Sequence, residues 1–407
     1  MPWKETSPVN ERVKFIAAFL EGSENFSELC ERFGISRKQG YKWRERYESG
    51  GIEGLNDRSR APLNHPQAVV EPLVELIVQE RRKHPLWGPR KLLVVLARKY
   101  PTMEFPVAST VGELLKKRGL SGKRRRVRRS VPYPDRLGGY DSPNAIWCAD
   151  FKGHFAVAGK RCHPLTVTDG FSRYLLCCKS LKRPLCEPVR ETFEDVFREF
   201  GMPDAIRTDN GPPFSSLAPA GLSRLAVWWL RLGIRPERIM PGRPDQNGRH
   251  ERMHSTLKAE TARPPRSSFR AQQRAFDSFR DEYNRERPHE ALDYATPSKR
   301  YTPSLKSFPN KLPEFEYPSH FRVYQAMHNG VISVSGVQFY ITCCVDDEYL
   351  GLEEVDDGQW KVHLGPVPLG MIDVRRAKPL RNRRLFSTLV RLDGTRHRFY
   401  GRGVTRA

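Results

Sequence analysis

Gly201-Met202-Pro203-Asp204-Ala205-Ile206-Arg207-Thr208-Asp209-Asn210-Gly211 is the stretch that decides the architecture. Val189, Phe193, Val196, Phe197 and Phe200 mark one face of a preceding helix, which Gly201-Met202-Pro203 ends. Ala205 to Thr208 then reads as a short strand, and Asn210-Gly211 permits a sharp turn, so Asp209 sits at a strand end. Working outward, Ile146 to Val157 reads as a first strand, with Asp150 inside Trp147-Cys148-Ala149-Asp150-Phe151-Lys152. Pro164 to Thr168 and Tyr174 to Cys178 form a hairpin around Asp169-Gly170-Phe171-Ser172, where Asp169 is a turn residue rather than a metal ligand. Strands followed by helices between about 141 and 300 predict an α/β domain with a central sheet.

Acidic residues at such places carry chemistry. A charge on a half-buried strand is tolerated when it is paired or coordinates a metal, which marks Asp150, although an aspartate facing solvent is the plain alternative. The third acid is Glu251 in Gln246-Asn247-Gly248-Arg249-His250-Glu251-Arg252, on a predicted helix from Pro244 to Ala262 that lacks a good apolar stripe over its first turns. Seven residues leave a helical drift of about 20°, so Glu251 and Lys258 share a face, with Ser255 and His254 close by. Three carboxylates can hold two hard cations beside a phosphodiester, and a lysine on the same helix can face phosphate.

The rest of the chain suits DNA. A formal charge of +23 over 407 residues favours a polyanionic partner and salt-sensitive affinity. No apolar run is long enough to span a bilayer and no secretory signal is evident, so an intracellular protein without a membrane partner is expected. Eight cysteines lack the spacing of a structural zinc site and are read mostly as buried thiols.

Residues 10 to 47 read as three short helices. Val13, Ile16, Ala17 and Leu20 mark the first, Phe26, Leu29, Cys30 and Phe33 the second, and Ser36 caps the third, which carries Arg37, Lys38, Lys42, Arg44 and Arg46. This is a helix-turn-helix pattern with Ser36 to Tyr47 as the expected reader of the major groove. A second helical unit spans about 66 to 120. Lys123, Arg124, Arg125 and Arg126 belong to a basic stretch that should track phosphates. After a proline-rich segment, short strands from Val331 to Val374 predict a small β-barrel.

Trp147 to Lys152, Thr208 to Gly211 and Pro244 to Glu260 resemble the three motifs of the DDE transposases with a retroviral-integrase-type core, and most nearly those of bacterial insertion sequences. Tyr283-Asn284 with Arg287-Pro288-His289, and Thr296 to Tyr301, extend the similarity. The resemblance implies a ribonuclease-H-like core, Mg2+ with Mn2+ as a substitute, and Asp150, Asp209 and Glu251 as catalytic metal ligands, with Lys258 on DNA. One departure is a long gap between Asp209 and Glu251, for which an extended helix within Ser215 to Leu232 gives room. Glu260 is a rival third ligand but lies more than two turns further along.

The expected organisation is multidomain: helix-turn-helix at 1–60, a second such or winged-helix-like unit at 61–120, a basic linker at 121–140, and the catalytic core at 141–302. A proline-rich linker at 303–318, a barrel at 319–380 and a basic tail at 381–407 follow. The expected function is transposition, in which the protein binds an element's terminal inverted repeats as a homo-oligomer and then cuts and joins double-stranded DNA, in the bacterial cytoplasm at the nucleoid. Two other readings are a non-cutting DNA-binding regulator descended from a transposase and a structure-selective nuclease.

Overall fold

Ser7, Asn25 and Ser36 each turn a side-chain oxygen onto a backbone N–H two or three residues ahead, starting three helices: α1 (Pro8–Glu21), α2 (Phe26–Arg32) and α3 (Arg37–Gly50). These belong to the first of two units, Met1–Val70 and Glu71–Ala407, and the computed structural model describes residues 7–58, 69–122, 138, 140–151, 153–239, 248–375 and 387–390. Phe15, Ile16, Leu29, Cys30 and Leu55 form the first unit's core. Gly40 lets α3 close on it, since a Cβ there would stand 2.6 Å from the Cys30 sulfur. Leu20, expected in the buried stripe, is exposed, and Phe15 takes the inward position.

In the second unit, α4 (Glu71–Lys83), α5 (Pro89–Lys99) and α6 (Ala108–Lys117) pack around Ile77, Trp87, Leu92, Leu96, Val111 and Leu115. His84 stacks on Trp87, and its Nδ1 lies 3.1 Å from Glu282. The helical trio is thereby joined to the domain that follows it.

That domain is a sheet between two helical layers. Its strands are β1 (Ile146–Phe151), β2 (Phe155–Val157), β3 (Lys160–Asp169), β4 (Leu175–Leu181), β5 (Ala205–Thr208) and β6 (Arg235–Arg238). β3 runs antiparallel to β1, β2 and β4, whereas β1, β5 and β6 run parallel. The single strand expected from Ile146 to Val157 is thus two, β1 and β2, with Gly153 at positive φ between them.

Strand alternation sorts the side chains. Trp147, Ala149, Leu165, Val167 and Ile206 face α7 (Cys186–Phe200) and α8 (Arg224–Arg231). Val157, Cys162, Leu175 and Cys178 face α9 (Gly248–Thr261) and α10 (Phe269–Arg285), which contribute Met253, Leu257, Phe276, Phe279 and Tyr283. Burial pushes the Cys177 thiol up to about 12 and Cys162 to about 11. These groups stay protonated.

The long helix expected within Ser215 to Leu232 is shorter. A 3-10 turn at Pro219–Gly221 precedes α8, whose helix Ser223 caps through the Ala226 N–H. This helix serves two cores: Leu225, Trp228 and Trp229 pack toward α7, while Ala226 and Val227 join the C-terminal strands.

The proline-rich segment 303–318 lies against the core as a strap. Ser304 and Met202 donate backbone N–H groups to Phe200 and Lys306, Phe308 packs on Phe197 and Trp228, and Arg231 donates to the Pro313 carbonyl. Beyond it come β7 (Arg322–Gln325), β8 (Val331–Val334), β9 (Val337–Tyr340), β10 (Tyr349–Asp356), β11 (Gln359–Leu364), β12 (Val367–Asp373) and β13 (Ser387–Thr388). They form a four-stranded sheet, β12-β11-β10-β7, and a three-stranded sheet, β13-β9-β8, around one apolar core. Among the described residues the pairing leaves these two sheets open, so it does not close into the expected barrel.

Candidate active site

Strand register brings two of the three acids together. Ala149 of β1 pairs with Thr208 of β5 in parallel, and Asp150 and Asp209 are the next residues on their chains. They stand side by side at the carboxyl ends of neighbouring strands, the part of an α/β sheet where ligands bind. The Asp209 carboxylate accepts the Gly211 N–H at 3.2 Å, and a Cβ at Gly211 would press on it at the same distance. Beneath, the buried Arg207 guanidinium donates to Glu237 at 2.7 and 3.0 Å and to the Tyr140 hydroxyl at 2.5 Å, tying β5 to β6. Burial, above all, lifts the Tyr140 hydroxyl to about 12.

The helix that bears Glu251 is seated by histidines. Its buried line is His250, Met253, His254, Leu257 and Thr261, so two imidazoles stand where an apolar stripe was missing. Both reach Thr166, the β3 partner of Asp150: His250 Nε2 and His254 Nε2 each lie 2.7 Å from its hydroxyl oxygen. That hydroxyl donates its one proton to the Asp150 main-chain carbonyl at 3.1 Å, so both imidazoles donate to it from Nε2. His250 Nδ1 is then the acceptor for the Thr168 hydroxyl at 3.2 Å, and His254 Nδ1 stands 3.8 Å from an Asp150 carboxylate oxygen. One threonine therefore links the strand of Asp150 to the helix of Glu251. Sequence reading missed this seat; the signal available was the pair of histidines at i and i+4 on an otherwise polar helix.

Glu251, Ser255 and Lys258 are exposed on the opposite side of α9, one face of the helix as expected. His254, expected close to them, is buried instead. Glu260 is engaged elsewhere: it accepts from the buried Arg287 at 3.0 Å, and burial raises its carboxyl above the usual range. Asp169 is likewise occupied, accepting the Asn144 N–H at 2.8 Å and both the N–H and hydroxyl of Ser172 at 2.7 and 2.6 Å.

The donor set of Asp150, Asp209 and Glu251 is all oxygen and suits a hard divalent cation, and the two aspartates are already adjacent. Among the described residues the three side chains whose ligand atoms lie within 4.8 Å of one another are His328, Asp346 and Asp347, a different set from Asp150, Asp209 and Glu251. Asp346 in that other group is shared with the Asn329 N–H at 2.8 Å and with Arg224 at 3.8 Å.

In the N-terminal unit, Arg37, Lys38 and Lys42 are exposed on α3, while Arg44 is paired with Glu48 at 2.7 Å and covers Phe19. Trp43 is covered by Arg12 at 3.9 Å and by Arg46 at 4.9 Å, so its place is packing. Lys123, Arg124, Arg125 and Arg126 lie outside the described residues. No described helix is long and apolar enough to cross a membrane.

Comparison with known proteins finds similarity to integrase-core and helix-turn-helix domains. Integrase core domain models match residues 141–244 and 232–297, a helix-turn-helix domain matches 11–62, and a homeodomain-like domain matches 39–115. The chain is 29% identical over 240 residues to a protein of insertion element IS407 from Burkholderia multivorans, covering 58% of this chain and 82% of that one. It is 30% identical over 244 residues to a protein of insertion element IS476 from Xanthomonas euvesicatoria, covering 59% and 66%. Among solved structures, the integrase catalytic core domain of HTLV-2, determined with magnesium, is 18% identical over 40% of this chain and 98% of its own, with a TM-score of 0.32.

Proposed function

We propose that this chain, which belongs to the integrase-core family of insertion-element proteins with helix-turn-helix domains ahead of the core, is a transposase that binds its element's terminal inverted repeats and cuts and joins DNA. The observation that carries this reading is the register of Asp150 beside Asp209, with the Glu251 helix fixed to the same strands through Thr166.

Asp150, Asp209 and Glu251 are the residues that would hold Mg2+, or Mn2+ in its place. When bound, such an ion lowers the pKa of an attacking oxygen and offsets charge on the leaving oxygen. The chain's own part is to fix two carboxylates by strand register and to hold the third on a helix whose outer face also presents Lys258 to a phosphate. Water attacks the phosphodiester at the element's end, and the P–O bond that breaks frees a 3′-hydroxyl. That hydroxyl then attacks a target phosphodiester; a new P–O bond forms, the target's own 3′-oxygen leaves with a proton, and no protein atom is bonded to DNA. Exposed Arg37, Lys38 and Lys42 on α3 suit the major groove, with Lys123 to Arg126 on phosphates. Joining two ends calls for a homo-oligomer on DNA.

The test mixes the full chain and Mg2+ with labelled duplexes ending in the element's terminal repeats and a supercoiled target plasmid. Joined product is expected. Tight binding of the ends with neither nicking nor joining, in Mg2+ and in Mn2+, overturns the reading in favour of a non-cutting regulator.

A further inference from the structure

Between α5, the β3–β4 turn, α9 and the segment 283–291 lies a cavity of about 270 Å3. Its charged lining is Lys91, Arg173, Arg252 and Arg287 against Asp169 and Glu290. The acids are already engaged, Asp169 by Asn144 and Ser172, and Glu290 by Arg90 at 3.5 Å. Arg287 has Glu260. Lys91 differs: it is half-buried, and among the described residues its ammonium makes no hydrogen bond or ion pair, Glu260 and Glu290 acting on it only through space.

A cation taken from water without a counter-charge is costly, and that cost disappears when an anion enters. Two groups register the unbalanced charge. Burial, and then Arg287, draws the Lys91 ammonium down to about 8. Burial, and then Lys91 and Arg287, draws the His289 imidazole down to about 3. The same cavity is lined by Thr168 and His250, two of the groups that seat α9 beside Asp150. Its size falls just under the range of roughly 300–1,000 Å3 that holds whole small molecules, which suits a fragment of a longer chain.

We propose that this cavity binds one backbone phosphate of the DNA strand on which the active site works, with Lys91 as its counter-charge and Arg252 at its exposed mouth. The inference rests on the transposition reading and adds a grip shared between α5 of the second helical unit and the catalytic domain. Inorganic phosphate offers the same chemistry, so the test separates the two sources.

The experiment uses the full chain without metal and end duplexes carrying a single neutral methylphosphonate at successive positions, with affinity read by mobility shift. Wild type is expected to lose about tenfold at one position, the size of one charge-assisted contact. Lys91→Met is expected to bind unmodified ends about tenfold more weakly and to be indifferent at that same position. Without DNA it is expected to melt no lower than wild type, because an uncompensated charge has gone; a lower melting temperature overturns the proposal. So does a scan in which no position distinguishes wild type from Lys91→Met. Inorganic phosphate that raises the melting temperature of wild type alone, with no such position in DNA, assigns the cavity to a free anion and overturns the proposal as well. Binding needs no cleavage, so a chain that grips its ends at that phosphate yet never cuts strikes the transposition reading and leaves the cavity's assignment standing.

Discussion

Asp150 and Asp209 owe their places to strand register, whereas Glu251 owes its place to the side-chain packing and hydrogen bonds of its helix. The aspartates follow a backbone-paired step, Ala149 against Thr208, that many buried residues enforce. The helix of Glu251 is pinned at its first turns by two imidazoles on one hydroxyl. Two acids are thus built into the sheet, and the third rides on a helix packed against it through Met253 and Leu257. The contrast teaches that a site of this kind has a half fixed by backbone pairing and a half fixed by side chains.

The sharpest break in that comparison comes from the half fixed by backbone pairing. Asp209→Asn keeps shape and register but removes a charged ligand, so both cleavage and joining should fall by a thousandfold or more, on the order of 4 kcal/mol, with end binding largely intact. Strand transfer retained in this variant, measured on pre-cut ends, would remove Asp209 from the catalytic set.

Stability probes the support of the same half. Glu237→Ala leaves the buried Arg207 guanidinium short of its carboxylate partner, and the loss should be about 3 kcal/mol in urea unfolding. Because Tyr140 still accepts from Arg207, activity well below the melting temperature should persist. Equal stability of this variant and wild type would mean that the pair contributes nothing to β5.

The half fixed by side chains responds differently. Thr166→Val keeps the shape of a buried strand residue and removes the hydroxyl on which both imidazoles rest, so the catalytic rate should fall roughly 10- to 100-fold, as for lost outer contacts of a metal ligand. Thr166→Ser should recover most of that rate. A Thr166→Val enzyme with unchanged kcat would show that the histidine seat does not position Glu251.

The strand positions of Asp150 and Asp209 were legible, because a charged residue within Trp147 to Phe151 and another between a strand and Asn210-Gly211 are both conspicuous against their neighbours. The integrase-core and helix-turn-helix domains were legible for the same reason: caps such as Ser36 and apolar spacing announce themselves locally. What stayed hidden depends on distant partners. His250 and His254 look like polar surface until Thr166 is known to face them. The segment 303–318 reads as a linker from its prolines, yet its carbonyls and Phe308 bind it to α7 and α8. Helix α8 appears as one apolar run, and only packing divides its residues between two cores. Closure of the C-terminal strands is a matter of pairing, which alternation alone does not specify.

The central claim, that Asp150, Asp209 and Glu251 hold one metal centre, is tested most directly by letting Fe2+ stand in for Mg2+ and mapping where peroxide and ascorbate cut the polypeptide. Cuts grouped around residues 150, 209 and 251, suppressed by excess Mg2+ and lost in Asp209→Asn, are the predicted result. Cuts confined to the neighbourhood of His328, Asp346 and Asp347, with those three segments untouched, would contradict it.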